Sequence, residues 1–425
     1  MLGRRRFMQQ AALGAAVLGL PVAVAKRALA AEPEALPSRD LLTTDPERFW
    51  AELRRQWLLA ADRINLNCGS VGCTPLPVLR ATIDHLLAAE AFRDPGYPWF
   101  GYEENALLRR LRDTLATYLH CRRDEIALVR NATEGNNIFC NGLDLKPGDE
   151  VVLTDQEHAG GRCCWEQKAA RFGIKLCFVT LPKPPDAAEE IVELFRKAIT
   201  PQTRVFAFSH ITTVTGLMLP AKGICKLARE HGILSHIDGA HGIGQISLDL
   251  HDLGCDSYAA SPHKWLLAPK GTGVLYLREE VQERLWAHTV SSEWRNYKQK
   301  AYRFSNLGTS NLSVMAGLQA ALDFQTKLGA NHVYARIHHL ARRVHDRLLG
   351  YPQLRLANAS KDFSYGGLLS FEPAKGNLSR VVEECAARNI RVAGGSGRIR
   401  VATHIFTQPT DLNALFDAVD RGLRS

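Results

Sequence analysis

From Glu125 onward the chain alternates short β-rich runs with amphipathic stretches, and this alternation limits its fold more than any other feature. Ile126-Ala-Leu-Val129, Glu150-Val-Val-Leu-Thr154, Lys175-Leu-Cys-Phe-Val179, Arg204-Val-Phe-Ala-Phe208 and Ile233-Leu-Ser-His-Ile237 read as buried strands. Between them, residues 160–172, 186–199 and 221–231 repeat apolar side chains at helical spacing. Repeated strand-helix-strand order implies an α/β fold, a mostly parallel sheet with helices on both faces. In such a sheet ligands collect at the carboxyl ends of the strands.

The flanks read differently. Residues 77–92 and 102–119 are expected as helices joined by an aromatic loop, Asp94-Pro-Gly-Tyr-Pro-Trp-Phe-Gly-Tyr102, which would line a substrate mouth. Residues 311–328 and 331–349 predict long helices. A smaller α+β unit follows, with strand Gly367-Leu-Leu-Ser-Phe371, a helix over 378–388, strands Ile390-Arg-Val-Ala393 and Arg398-Ile-Arg-Val401, and a last helix from Thr410. The expected division is a leader at 1–30, an N-terminal arm at 31–65, a large domain at 66–310 and a small C-terminal domain at 311–425.

At 425 residues, 46% hydrophobic and 23% charged, the chain can bury one large core or a large and a small one. Its net charge of +9 is scattered through helical stretches such as Leu107-Leu-Arg-Arg-Leu-Arg112. No basic run is interleaved with aromatics, so nucleic acid is not an expected partner, and an electropositive cleft for an anionic ligand accounts for the surplus. Ten cysteines without Cys-x-x-Cys spacing make neither a disulfide framework nor a metal site, and most of them are expected as small buried hydrophobes.

The first thirty residues stand apart. Gly3-Arg4-Arg5-Arg6-Phe7-Met8-Gln9 precedes an apolar stretch from Ala11 to Ala25, with small-residue cleavage points at Ala23-Val-Ala25 and Ala28-Leu-Ala30. The segment resembles a twin-arginine export signal and is short for a membrane span of roughly 20 residues. A periplasmic or secreted product is expected, with no membrane span after cleavage. Export of an already folded chain suits a protein that acquires a cofactor in the cytoplasm.

The chemistry gathers around Lys264, in Ser261-Pro-His263-Lys264-Trp, after a short strand and before a glycine-rich turn. An amine there can attack an aldehyde cofactor if its pKa is lowered. Asp238, twenty-six residues upstream, ends an apolar strand in Ile237-Asp238-Gly-Ala-His241, where a buried carboxylate can keep a pyridine nitrogen protonated. Together they suggest pyridoxal phosphate. Asn131-Ala132-Thr133-Glu-Gly135 follows a strand and precedes a helical run, offering amides and hydroxyls to a phosphate, with a helix cap by Thr133 as the ordinary alternative. His158 follows another strand and can stack on a flat ring or relay protons. Ser261 and His263 add a hydroxyl and an imidazole within reach of phosphate.

In this order Thr133-Glu-Gly, Glu157-His158, Ser209-His-Ile-Thr-Thr213-Val-Thr-Gly216, Asp238-Gly-Ala-His241, Ser261-Pro-His263-Lys264 and Gly308-Thr309-Ser-Asn311 resemble the class V aminotransferase family over roughly residues 60 to 425. That family holds fold-type-I pyridoxal phosphate enzymes, including cysteine desulfurases and isopenicillin N epimerase. The resemblance implies Lys264 as the residue that carries the cofactor and shuttles a proton, Asp238 on the pyridinium nitrogen, and His158 over the ring. It implies Ala132, Thr133, Ser261 and His263 at the phosphate, and Thr309 at the phosphate of a neighbouring subunit, hence a homodimer. Arg400 would clamp the substrate carboxylate.

Departures narrow the activity. His241 stands where desulfurases commonly carry glutamine, and can still hydrogen-bond the cofactor's ring oxygen. Thr213 replaces a common asparagine. Arg391-Val-Ala-Gly394-Gly-Ser-Gly397 lacks the thiol that accepts sulfur in desulfurases. This glycine-rich stretch, with Asn67-Cys-Gly-Ser70, looks closer to the isopenicillin N epimerase-like branch, Asn67 being a candidate substrate contact. The leading expectation is an epimerase or racemase acting on an amino acid or peptide-like amino acid; the alternative is an aminotransferase or carbon-sulfur lyase, not a persulfide-type desulfurase. Two rival classes are a zinc hydrolase built on His236-x-Asp238-x-x-His241, which leaves Lys264 without a task, and a cofactor-free binding protein.

Overall fold

The structure, a computed structural model, describes residues 33–91, 105–358 and 365–424. The leader and the aromatic loop lie outside these residues. Among the described residues no helix is long and apolar enough to cross a membrane.

Seven strands form the main sheet. After a two-residue β1 (Ile64–Asn65), they are β2 (Ile126–Val129), β3 (Glu150–Thr154), β4 (Lys175–Val179), β5 (Thr203–Ser209), β6 (Leu234–Asp238), β7 (Ser257–Ala260) and β8 (Gly273–Leu277). Their spatial order is β2-β8-β7-β6-β5-β3-β4. β4, β3, β5, β6 and β7 run parallel, while β8 lies antiparallel to both β7 and β2. The sequence runs predicted five of these strands to within a residue. β8 had no such forecast, and its reversal has a local cause. Residues 261–272 join β7 to β8 without a crossover helix, so the chain turns back beside β7. That return carries Lys264. Strands β2, β6, β7 and β8 are buried at every residue, as a sheet covered on both faces requires.

Helices α1 (Leu76–Glu90), α2 (Ala106–Leu119), α3 (Ala132–Gly142), α4 (Ala159–Phe172), α5 (Ala188–Lys197) and α6 (Ala221–Glu230) precede or connect these strands. α7 (Leu312–Leu328) packs along α1 and α2, and α8 (Ala330–Leu349) leads to the second sheet. That sheet runs in the order β12-β13-β10-β9, all antiparallel, from β9 (Leu354–Leu356), β10 (Leu368–Pro373), β12 (Ala393–Gly395) and β13 (Arg398–Ala402). α9 (Ser379–Ala387) and α10 (Pro409–Arg424) cover it, around Leu369, Phe371, Ile399, Val401, Leu412 and Leu415.

One expected strand divides. The run Ile390–Ala393 was read as a single strand, but β11 (Ile390–Arg391) pairs in parallel with β1, while Ala393 begins β12 against β13. The chain changes partner at Val392. The arm is thereby tied to the C-terminal sheet, and Asn67 makes an isolated parallel bridge to Ala402.

Candidate active site

The carboxyl edge of the main sheet brings the expected residues together. Asp238 ends β6 and is buried. Its Oδ1 accepts the Ala240 amide at 3.0 Å and its Oδ2 accepts the Asn136 side-chain amide at 2.9 Å. The first turn of α4 presses against it. A Cβ added to Gly161 would stand 2.7 Å from Asp238 Oδ2, so that glycine is a condition of the close approach.

Lys264 sits on the return loop, its amide donating to the Ser261 carbonyl at 3.0 Å. Burial lowers its pKa from 10.5 to about 8; Asp238 pulls it upward and the Arg400 charge lowers it further. Its Nζ lies 3.4 Å from His241 Nε2. The next residue sets that contact: the Trp265 indole N–H donates to His241 Nδ1 at 3.1 Å. An indole N–H only donates, so Nδ1 is the acceptor and the single proton of a neutral imidazole sits on Nε2. Burial holds His241 well below the ordinary histidine value, with Lys264 and Arg400 adding to the effect. The Nε2–H therefore faces Lys264 and favours its neutral amine over its ammonium.

Loop 67–73 lies against the lysine loop. The Gly72 amide donates to the His263 carbonyl at 3.0 Å, and a Cβ at Gly72 would fall 2.1 Å from the Lys264 carbonyl oxygen.

The N-terminus of α3 corrects one detail. Asn131, not Thr133, caps the helix, accepting the Glu134 amide at 2.9 Å, and Thr133 lies exposed in the first turn. Ser261 Oγ accepts the Ala132 amide at 3.0 Å, tying the lysine loop to that helix end. His263 donates from Nδ1 to the Thr272 carbonyl at 2.9 Å. Burial lowers its pKa, with Lys264 and Lys270 contributing. In the neutral ring Nε2 is then an acceptor, so a phosphate contact from it requires an added proton.

His158 caps α4, its Nδ1 accepting the Gly160 amide at 3.0 Å, which leaves the proton on Nε2. Burial lowers its pKa, followed by the charge of Lys264.

Arg400, on β13, is held on two sides. One terminal nitrogen donates to the Thr213 carbonyl at 3.1 Å and to the Thr213 hydroxyl; the other donates to Asn67 Oδ1 at 3.2 Å and Ser70 Oγ at 2.7 Å. Its buried Nε has no partner among the described residues. Thr213, expected at the cofactor, is thus placed against the guanidinium, together with Asn67. Thr309 follows Gly308 on an exposed bend.

Three further residues escaped the sequence reading: Trp265, Asn136 and Glu157. Glu157 is buried, accepting the Thr154 hydroxyl on one oxygen and the Ser209 hydroxyl at 2.6 Å on the other. Burial pushes it up to about 7, with the Asp238 charge adding to the rise. Its signal was the strand-end position it shares with His158. The zinc reading fails on geometry. His236 has its ring nitrogens 3.0 Å from Ser257 Oγ and 2.9 Å from Asn136 Oδ1, while those of His241 face Trp265 and Lys264. Among the described residues no three metal-binding side chains converge.

Residues 72–411 match the family model for Aminotransferase class-V. The chain belongs to the class V aminotransferase family. Class V membership makes it a fold-type-I pyridoxal phosphate enzyme. Among curated relatives it is 33% identical over 393 residues to an isopenicillin N epimerase of Amycolatopsis lactamdurans, covering 87% of this chain and 98% of that protein. A probable cysteine desulfurase of Pseudomonas putida is 32% identical over 336 residues, covering 73% of this chain and 82% of that one. A solved structure of a C-DES variant with glycine covalently linked to its PLP cofactor superposes with a TM-score of 0.74 at 26% identity, covering 86% of this chain and 98% of its own.

The class V site suits the cofactor chemically. It supplies an amine of lowered pKa, a buried carboxylate, a helix N-terminus with hydroxyls and a guanidinium. Gly160 and Gly161 let the start of α4 pack closely against Thr133 and Asp238, a Cβ at Gly160 standing 2.6 Å from Thr133 Oγ1.

Proposed function

We propose that this pyridoxal phosphate enzyme removes and returns the α-proton of an amino acid or peptide-like amino acid, as an epimerase or racemase of the isopenicillin N epimerase-like branch. The observation that carries this reading is the hairpin of β12 and β13, whose turn, Gly395-Ser-Gly-Arg398, holds no thiol while its strands pair Ala393 with Arg400. Sulfur transfer through a persulfide needs a thiolate. Cys68, within the electrostatic reach of Arg400, is fully buried with its Sγ toward the carbonyls of Ala402 and Thr403, and burial pushes the thiol well above its ordinary value.

When bound, pyridoxal phosphate supplies the electron sink that makes an α-carbon acidic. The chain's own groups do the rest. Lys264, neutral through burial and the His241 Nε2–H, would take the α-proton from one face, and return of a proton to the opposite face would invert the centre. Arg400, braced by Asn67, Ser70 and Thr213, would hold the substrate carboxylate. Asp238 would hold the ring N–H, and His158 would flank the ring. The Ala132–Thr133 helix end with Ser261 would receive the phosphate, joined by His263 when protonated and, in a homodimer, by Thr309 of a second subunit.

In deuterated water with a panel of D- and L-amino acids and short peptides, at least one substrate is expected to gain deuterium at the α-carbon and to lose chirality without net chemical change. Release of keto acid, ammonia or sulfide, with chirality retained in the remaining substrate, would instead establish the aminotransferase or carbon-sulfur lyase reading. The resemblance to a solved complex of the cystine C-S lyase C-DES, at 26% identity and a TM-score of 0.72, is what favours that second reading.

We also propose that residues 1–30 direct twin-arginine export of the folded enzyme. Fractionation is expected to find a shortened chain in the periplasm or medium; a cytoplasmic chain with Met1 intact would refute it.

A further inference from the structure

We propose that Asn136, locked by His236, is a positioning residue that fixes the proton pattern around Asp238 and so its aim at the cofactor's ring nitrogen. This rests on the proposed pairing of Asp238 with that nitrogen.

His236 and Asp238 are two residues apart on β6 and therefore share one face of the sheet. Helix α3 covers that face and sends Asn136 between them, with Asn136 Nδ2 2.9 Å from Asp238 Oδ2 and Asn136 Oδ1 2.9 Å from His236 Nε2. Phe139, one turn along α3, stacks on the His236 ring at 4.6 Å and 8°. Ser257 Oγ lies 3.0 Å from His236 Nδ1. All four polar residues are buried.

Only one arrangement of protons satisfies this chain. A carboxylate oxygen accepts, so Asn136 turns its Nδ2–H toward Asp238 and its Oδ1 toward His236. Oδ1 accepts, so His236 carries its proton on Nε2. The ring is neutral, burial lowering its pKa to about 3, so its Nδ1 must accept, and the Ser257 hydroxyl donates. Donation then runs in a single direction: Ser257 to His236, His236 to Asn136, Asn136 to Asp238. An inverted Asn136 amide would set oxygen against carboxylate, so Asp238 fixes the sense of the amide, and the His236 Nε2–H then anchors its Oδ1. With Ala240 N–H on Oδ1 and Asn136 on Oδ2, the carboxylate is held from both sides and its remaining lone pairs are left for the ring N–H.

Four substitutions test this: Asn136→Leu, His236→Phe, which keeps an aromatic ring for Phe139 but removes both ring hydrogen bonds, the near-isosteric Asn136→Asp, and His236→Gln. The readouts are pyridoxal phosphate retention on dialysis, the pH titration of the bound cofactor's visible absorbance, and unfolding temperature. Asn136→Leu and His236→Phe are expected to weaken retention roughly 10- to 100-fold, the span of a hydrogen bond to a charged group, and to move the titration. Asn136→Asp, which faces Asp238 with a second carboxylate, is expected to lose most. His236→Gln, whose amide can donate to Asn136, is expected to recover most of the wild-type titration, an outcome that a merely space-filling role for His236 would not produce. Asp238→Ala is the reference. If it loses cofactor and titration while folded Asn136→Asp and His236→Phe keep both, the proposal is wrong. If Asp238→Ala itself changes neither, the pairing of Asp238 with the ring nitrogen falls as well.

Discussion

Lys264→Ala lowers turnover by roughly 10⁴-fold or more and yields a protein that no longer takes up pyridoxal phosphate covalently, because one side chain provides both the amine for attachment and the base for the α-proton. The lowered pKa makes the expectation quantitative. An ordinary lysine with pKa 10.5 is neutral in roughly one molecule in 3,000 at pH 7, whereas a value of about 8 raises this to about one in ten. Covalent capture by the wild-type apoprotein should therefore rise about tenfold per pH unit below pH 8 and level off above it. The sign for stability follows. The unfolded chain binds the extra proton between about pH 8 and 10.5, so the lysine's contribution makes the apoprotein more stable as pH rises through that window. Stopped-flow absorbance of apoprotein mixed with pyridoxal phosphate checks the rate; a break near 10.5 instead of 8 would mean that neither burial nor His241 acts on the amine.

Arg400→Lys is the second large effect. The guanidinium divides its terminal nitrogens between Thr213 on one side and Asn67 with Ser70 on the other, and keeps Nε unpartnered. A lysine ammonium has the charge without the planar fork, and a buried site leaves it without the paired acceptors that fix its direction. A loss of roughly 100-fold in kcat/KM is expected, chiefly in KM, with cofactor content unchanged. Steady-state kinetics beside the cofactor absorbance test it. A variant that keeps KM but loses cofactor would place Arg400 at the phosphate.

Fold and site were legible to different depths. The buried strands announced themselves through unbroken apolar runs, and the strand ends then located Asp238, His158 and Lys264, because a parallel sheet delivers such residues to one edge. β1 and β11 were not legible, since strands of two residues carry no period to detect. The split at Val392 depends on which strand each half meets, which is a tertiary fact. Asn131 caps the helix in place of Thr133 because the helix starts two residues earlier than the hydroxyl suggested. The partners of Asn136, His236 and Trp265 were hidden for a common reason. Each of the three acts through a partner more than twenty residues distant, and a sequence cannot show which amide faces which ring.

The bridge between Asn67 and Arg400 joins residues 333 positions apart. During synthesis, every group placed around Asp238 and Lys264 emerges before the arginine that would choose what they act upon. The polypeptide thus completes its chemistry before its selectivity, and the N-terminal arm must wait for the C-terminal sheet to close. For a chain expected to cross a membrane already folded, that closing contact marks the difference between a protein equipped to react and one equipped to discriminate.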